Sequence, residues 1–149
     1  MLMLTNVVMA LALASSTSGG AGERWTAVSK TAMSITGDVT LRSDRIVFSN
    51  GVVLPLRKVR TVAFTDDTGF TGRGTLYRVP NPVDPVLLHG NRMCGATRAV
   101  PVTFVVVWKS KPLPSGGGDG RAFAAYSTSM EPPPSVQRAC GVFRYEVAQ

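Results

Sequence analysis

Residues 45–56 read RIVFSNGVVLPL, two short apolar runs on either side of Ser49-Asn50-Gly51. Two hairpins are open to this stretch. A two-residue Asn-Gly turn sets Phe48 opposite Val53 and Ile46 opposite Pro55, and leaves Leu54 and Leu56 on the other face. A three-residue loop, with Gly51 as a left-handed bulge residue, sets Phe48 opposite Val52 and Ile46 opposite Leu54. The second choice gathers Ile46, Phe48, Val52, Leu54 and Leu56 on one face and turns Arg45, Pro55 and Arg57 to the other. A one-residue slip would carry every side chain to the wrong side, so a single buried face selects the bulged loop.

The same period of two runs outward from the hairpin. Met33 to Leu41 carries apolar residues at odd positions, with a gap at Gly37, and reads as a half-buried strand with a glycine kink. Trp25 to Thr31 reads as a shorter opening strand. Downstream, Arg60 to Thr65 places Val62 and Phe64 on one face, and Thr75 to Val79 follows. Pro101 to Lys109 (PVTFVVVWK) is apolar enough to be covered on both faces. Arg121 to Ser127 and Gly141 to Val147 complete a set of about eight short strands separated by Gly/Pro-rich turns. That pattern predicts an all-β fold, a single small antiparallel barrel or sandwich spanning residues 22–149.

Three loops stand apart. The prolines of Pro80-Asn81-Pro82-Val83-Asp84-Pro85 force an extended path. Pro112 to Gly120 is a glycine-rich excursion, and Glu131-Pro132-Pro133-Pro134 is a stiff polyproline-like turn. All three read as connectors between strands.

The first fourteen residues, MLMLTNVVMALALA, are uncharged and end Ala12-Leu13-Ala14 before a Ser/Gly stretch. A short apolar core followed by A-x-A is the pattern of a secretory signal peptide, with cleavage after residue 14 or as late as 21. It lacks the usual Lys or Arg ahead of the apolar core, and it is too short to span a bilayer, which takes about 20 apolar residues. The expected location is therefore periplasmic or secreted, with no transmembrane span.

Cys94 and Cys140 are the only cysteines. An even count in an exported chain predicts one disulfide between them. With the single His89 they fall short of a structural zinc set, so no metal or other cofactor is expected.

Sixteen Lys and Arg face nine acidic residues, giving +7, and twelve of the sixteen are Arg. The densest basic run is Arg57-Lys58-Val59-Arg60, with Arg42 and Arg45 one strand away; together Arg42, Arg45, Arg57, Lys58 and Arg60 form a candidate anion-binding patch. No aromatics are interleaved there for base stacking, so nucleic acid is not the expected partner. An anionic component of the cell envelope, or another protein, fits the charge.

Catalytic chemistry has little to work with. His89 is the only possible imidazole base, and Asp84 or Asp66-Asp67 are the only acids near enough in sequence to orient it. Asp66-Asp67-Thr68-Gly69 reads more naturally as a capped turn. Gly69-Phe70-Thr71-Gly72-Arg73-Gly74 lacks the Lys-Ser/Thr ending of a phosphate loop and precedes a strand. The expected function is thus a non-catalytic binding or inhibitor-type module. In general organisation the chain resembles small disulfide-bearing bacterial barrels such as the periplasmic lysozyme inhibitors, with no motif in common, and a basic domain should repel basic lysozyme. The alternatives are a small-ligand carrier, whose apolar cavity would be lined by Trp108 and Phe104, and a hydrolase built on His89.

Overall fold

A computed structural model describes residues 21–112 and 118–147. The leader segment 1–14 and the region up to residue 20 lie outside the described residues. Nine antiparallel strands form one sheet: β1 Glu23–Ala27, β2 Val39–Arg42, β3 Arg45–Phe48, β4 Val53–Pro55, β5 Arg57–Thr65, β6 Thr71–Val83, β7 Val102–Trp108, β8 Asp119–Tyr126 and β9 Gly141–Val147. Their order is β4-β3-β2-β1-β9-β8-β7-β6-β5. Sequence neighbours pair everywhere except β4 and β5, and β1 pairs with β9 to bring the two halves together. The terminal strands β4 and β5 succeed each other through Leu56 alone, so the sheet curls into a nearly closed up-and-down barrel with its seam at that residue.

The hairpin that set the fold class has the bulged register. Ile46 lies opposite Leu54, Arg45 opposite Pro55, and the Phe48 amide donates to the Val52 carbonyl at 2.9 Å. Gly51 has φ +86°, the left-handed conformation the three-residue loop requires, and the Asn50 side chain accepts from the Val52 amide. Ile46, Phe48, Leu54 and Leu56 are buried and Val52 packs against them, while Arg45, Pro55 and Arg57 are exposed.

The stretch before the hairpin differs from its alternation. Residues 33–41 are not one strand: Ala32–Thr36 form a single π-helical turn, and only Val39–Arg42 is extended. The turn closes by the Gly37 amide donating to the Ala32 carbonyl, and Gly37, at φ +62°, ends it. A Cβ at Gly37 would run into the Ser49 side chain and into Leu88. The buried residues are Ala32 and Thr36, Met33 is 52 % exposed and Ile35 is half-buried against the core, so the alternation of 33–36 does not mark the core-facing side. Tertiary contact overrides the pattern here. The Thr36 hydroxyl sits 2.6 Å from the Tyr145 hydroxyl inside the core and also donates to the Ala32 carbonyl. Likewise the opening strand stops at Ala27, four residues short of Thr31, where the chain turns into this helix.

Both faces of the sheet are buried around β7 and β8. The inner face packs Trp25, Val39, Ile46, Phe48, Leu54, Val105, Phe123, Phe143 and Tyr145 in one cluster. Phe123 stacks on Phe143 and Tyr145 at centroid distances of 4.9 and 5.7 Å. The outer face carries a second cluster of Phe64, Leu76, Phe104, Val106, Trp108 and Tyr126, floored by Ala122 and Ala124. The segment between β8 and β9 crosses over that face and lays Val136 and Ala139 on it. Full burial of one aromatic side chain contributes about 2–3 kcal/mol, so two clusters on one sheet are a substantial share of the stability of a chain this small.

Candidate functional site

The two ends of the barrel are built differently. At one end the π-helical turn and the segment 84–100 close over the core. Asp84, whose side chain is buried, organises that segment: its carboxylate accepts from the backbone amides of Met93, Cys94, Gly95 and Val100 at 2.6 to 3.3 Å. Leu87 and Met93 thereby pack into the inner core. Cys94 is bonded to Cys140, with Cα atoms 4.8 Å apart, and the Cys140 amide donates to Ala125 of β8. The disulfide joins the end cap to the segment that covers the outer face.

The other end is open. β1, β6 and β8 begin there and β2 and β7 end there, and together they line a cleft of about 520 Å³. Trp25, Leu41, Tyr77 and Val107 supply the walls from the inner face, with Phe70 and Trp108 at the rim. Both tryptophans of the chain therefore line this cleft. The indole N–H of Trp25 donates to Glu23 at 2.6 Å, and that of Trp108 donates to the buried Asp66 at 3.1 Å.

The polar groups of the mouth are mostly cationic. Arg73, Lys109 and Arg121 line it against one carboxylate, Glu23. Arg121 grips Glu23 at 2.8 Å, and this contact holds the Glu23 carboxyl below its ordinary range. Arg73 and Lys109 make no salt bridge or side-chain hydrogen bond with any described residue. The Tyr77 hydroxyl also lacks a protein partner among the described residues, although the residue is only 8 % exposed; burial pushes the phenol up and keeps it a neutral donor. No buried side-chain polar atom among the described residues lacks a partner, so this hydroxyl opens to the solvent of the mouth, where a polar group on an apolar wall can orient what the cleft holds.

The cationic residues singled out from the sequence lie elsewhere. Arg42 is paired with Arg45 across β2 and β3, on the outer face, and Arg45 is bound by its neighbour Asp44. Arg57 is opposite Arg78, and Arg78 lies over the Phe104 ring at 5.2 Å. Arg60 forms a two-pronged contact with Glu131 on the crossing segment. Lys58, opposite Tyr77, has the other parity, and a bulge follows it before Arg60. All five are exposed. The run Arg57-Lys58-Val59-Arg60 occupies a terminal strand of the sheet, where charged side chains and a bulge discourage pairing with another edge. That is a complete structural reason for a basic run at this position.

His89 sits exposed in a short turn, Leu88–Gly90, with φ +56°. Each of the three acids that could have oriented it is already engaged: Asp67 is held by Arg144. Asp84 is saturated by four backbone amides, and Asp66 is taken up by Thr68, Phe70, Trp108 and Arg144. Asp66 caps the turn 66–69 as expected; burial opposes its charge, but hydrogen bonds from Thr68 and Trp108 outweigh burial and hold its carboxyl below the usual range. No group of three or more potential metal ligands occurs among the described residues. The expected carrier cavity lined by Trp108 and Phe104 takes a different form: the cleft is lined by Trp108 and Trp25, and Phe104 is in the outer cluster. No described helix is long and apolar enough to cross a membrane.

Comparison with protein-family models, with curated proteins and with solved structures finds no match for this chain.

Proposed function

We propose that this chain is a non-catalytic binding domain, exported to the periplasm or beyond, that takes a small ligand in the open mouth of its barrel. The observation that carries this reading is the asymmetry of the two ends: one is stapled shut by Asp84 and the disulfide, while the other holds a cleft with apolar walls and a mostly cationic rim. A cleft of this size falls within the range of about 300–1,000 Å³ typical of small-molecule sites. The Cys94–Cys140 bond supports folding in an oxidising compartment. The lack of an orienting acid for His89 supports binding over hydrolysis.

The test is titration with the neutral apolar dye N-phenyl-1-naphthylamine, which brightens in apolar surroundings. One saturable site is expected in the native protein, and it should disappear in Thr75→Phe, which fills the mouth from β6. A dye signal that is absent, or that survives Thr75→Phe in a folded variant, would overturn the reading.

A second reading places an anionic envelope partner on the outer arginines. It is favoured by the Arg42–Arg45 and Arg57–Arg78 pairings, which put like charges on facing positions. Exchanging Arg45 and Arg57 for Ser should then weaken binding to anionic vesicles and leave the melting temperature nearly unchanged. Unchanged vesicle binding leaves the outer arginines as surface chemistry.

A further inference from the structure

We infer that the ligand of the mouth is an amphiphilic anion: a single carboxylate or similar head on an apolar body. The inference rests on the proposed binding function and specifies its chemistry. Three features of the cleft converge on this class. Among the described residues Arg73 and Lys109 make no salt bridge or side-chain hydrogen bond, although Lys109 feels the Glu23 carboxylate through space; the third cation, Arg121, grips Glu23 directly. The one carboxylate lining the cleft accepts from Trp25 and from Arg121, so a cationic ligand would have to compete for it, whereas an anion meets Arg73 and Lys109, neither held in a salt bridge among the described residues. Below them, Trp25, Leu41 and Val107 form a wall with nothing to offer a second charge, and the solvent-reaching Tyr77 hydroxyl is a neutral donor beside it. A polyanion would overfill the two cations and press charge against apolar wall, which costs far more than an exposed pair returns. An apolar body with one anionic end satisfies all of these groups together.

The test is competition against the bound dye by three ten-carbon probes below their micellar concentrations: decanoate, 1-decanol and decyltrimethylammonium. Decanoate is expected to displace the dye at concentrations about tenfold lower than decanol, the size of effect two partly exposed charge contacts give. The cationic probe should be the weakest. In the double variant Arg73→Gln, Lys109→Gln the ratio of decanoate to decanol displacement, each referred to that variant's own dye affinity, should fall to about one. That variant alters exposed residues, and its circular dichroism reports whether it is folded. Equal displacement by decanoate and decanol, an unchanged preference in the double variant, or preference for the cation would overturn the anionic class and leave the mouth as a binding site. Absence of any dye binding to the native protein would instead remove the mouth reading on which the inference stands.

Discussion

Phe123 and Tyr126 lie three residues apart on β8 and are both fully buried, yet different parts of the chain bury them. Phe123 points into the barrel and is covered by other strands, against Phe143 and Tyr145. Tyr126 points outward and is covered by the segment between β8 and β9; its hydroxyl donates to the Ser135 carbonyl at 2.6 Å. The inner cluster is closed by a sheet that cannot retreat without breaking ladder hydrogen bonds. The outer cluster is closed by a strap held at a few points: the disulfide, the Arg60–Glu131 contact and the Thr65 amide bonded to the Pro134 carbonyl. A rigid cover and a strap should respond differently when something beneath them is removed.

The largest effect is expected inside. Phe123→Ala should cost about 4–5 kcal/mol in urea unfolding, because the barrel wall cannot collapse onto the space. Phe64→Ala, in the outer cluster, should cost about 3 kcal/mol, since the strap can settle inward. An outer loss equal to or above the inner one would erase the distinction. Replacing Cys94 and Cys140 by Ser together should cost about 2–4 kcal/mol, the loop-entropy value for a 46-residue separation less any compensation. Hydrogen exchange should then show amides of 135–140 losing protection ahead of those in β8. Simultaneous loss would mean that strap and barrel form one cooperative unit.

Acid sharpens the comparison further. Asp66 joins the 66–69 turn to Trp108 of the outer cluster, and its carboxyl is held below the ordinary range in the folded state. A group with a lowered folded value stabilises fully above the unfolded value of about 4 and loses that contribution as pH falls through the folded one. Asp66→Ala should therefore be about 2–3 kcal/mol less stable at neutral pH, and the gap to the native protein should narrow below about pH 4. A gap independent of pH would mean that the charge of Asp66 is not what stabilises the turn. The smallest effect belongs to Glu131→Gln: it breaks an exposed pair with Arg60 that solvent screens, and the urea midpoint should stay where it is in the native protein.

The inner face was legible in the sequence because alternation reports it directly: Ile46, Phe48, Leu54 and Leu56 fall on one side of a hairpin whose turn chemistry fixes the register. The outer face was legible only as a hint, in the unbroken apolar run of Pro101 to Lys109. Its cover was read as an ordinary connector, since a polyproline stretch carries no periodicity to say what it lies against. Residues 33–36 misled for the opposite reason, a chance alternation that the Thr36–Tyr145 contact and the closing Gly37 override. The mouth could not be read at all. Glu23, Arg73, Tyr77 and Arg121 come from β1, β6 and β8, and Lys109 follows β7, with no spacing in common, and only the curl of the sheet brings them together. Charge counting pointed instead to Arg57-Lys58-Val59-Arg60, where an edge strand has its own need of cations.

The most direct measurement of the central claim is an ¹H–¹⁵N spectrum of the oxidised protein titrated with decanoate. The chain has two indole N–H signals, from Trp25 and Trp108, and both residues line the mouth. Capture of the anion there predicts saturable shifts of these indoles together with the amides of Arg73, Tyr77 and Lys109, while the amides of Arg42, Arg45, Arg57, Lys58 and Arg60 stay in place. Shifts confined to those five basic residues, with both indoles unmoved, would contradict it.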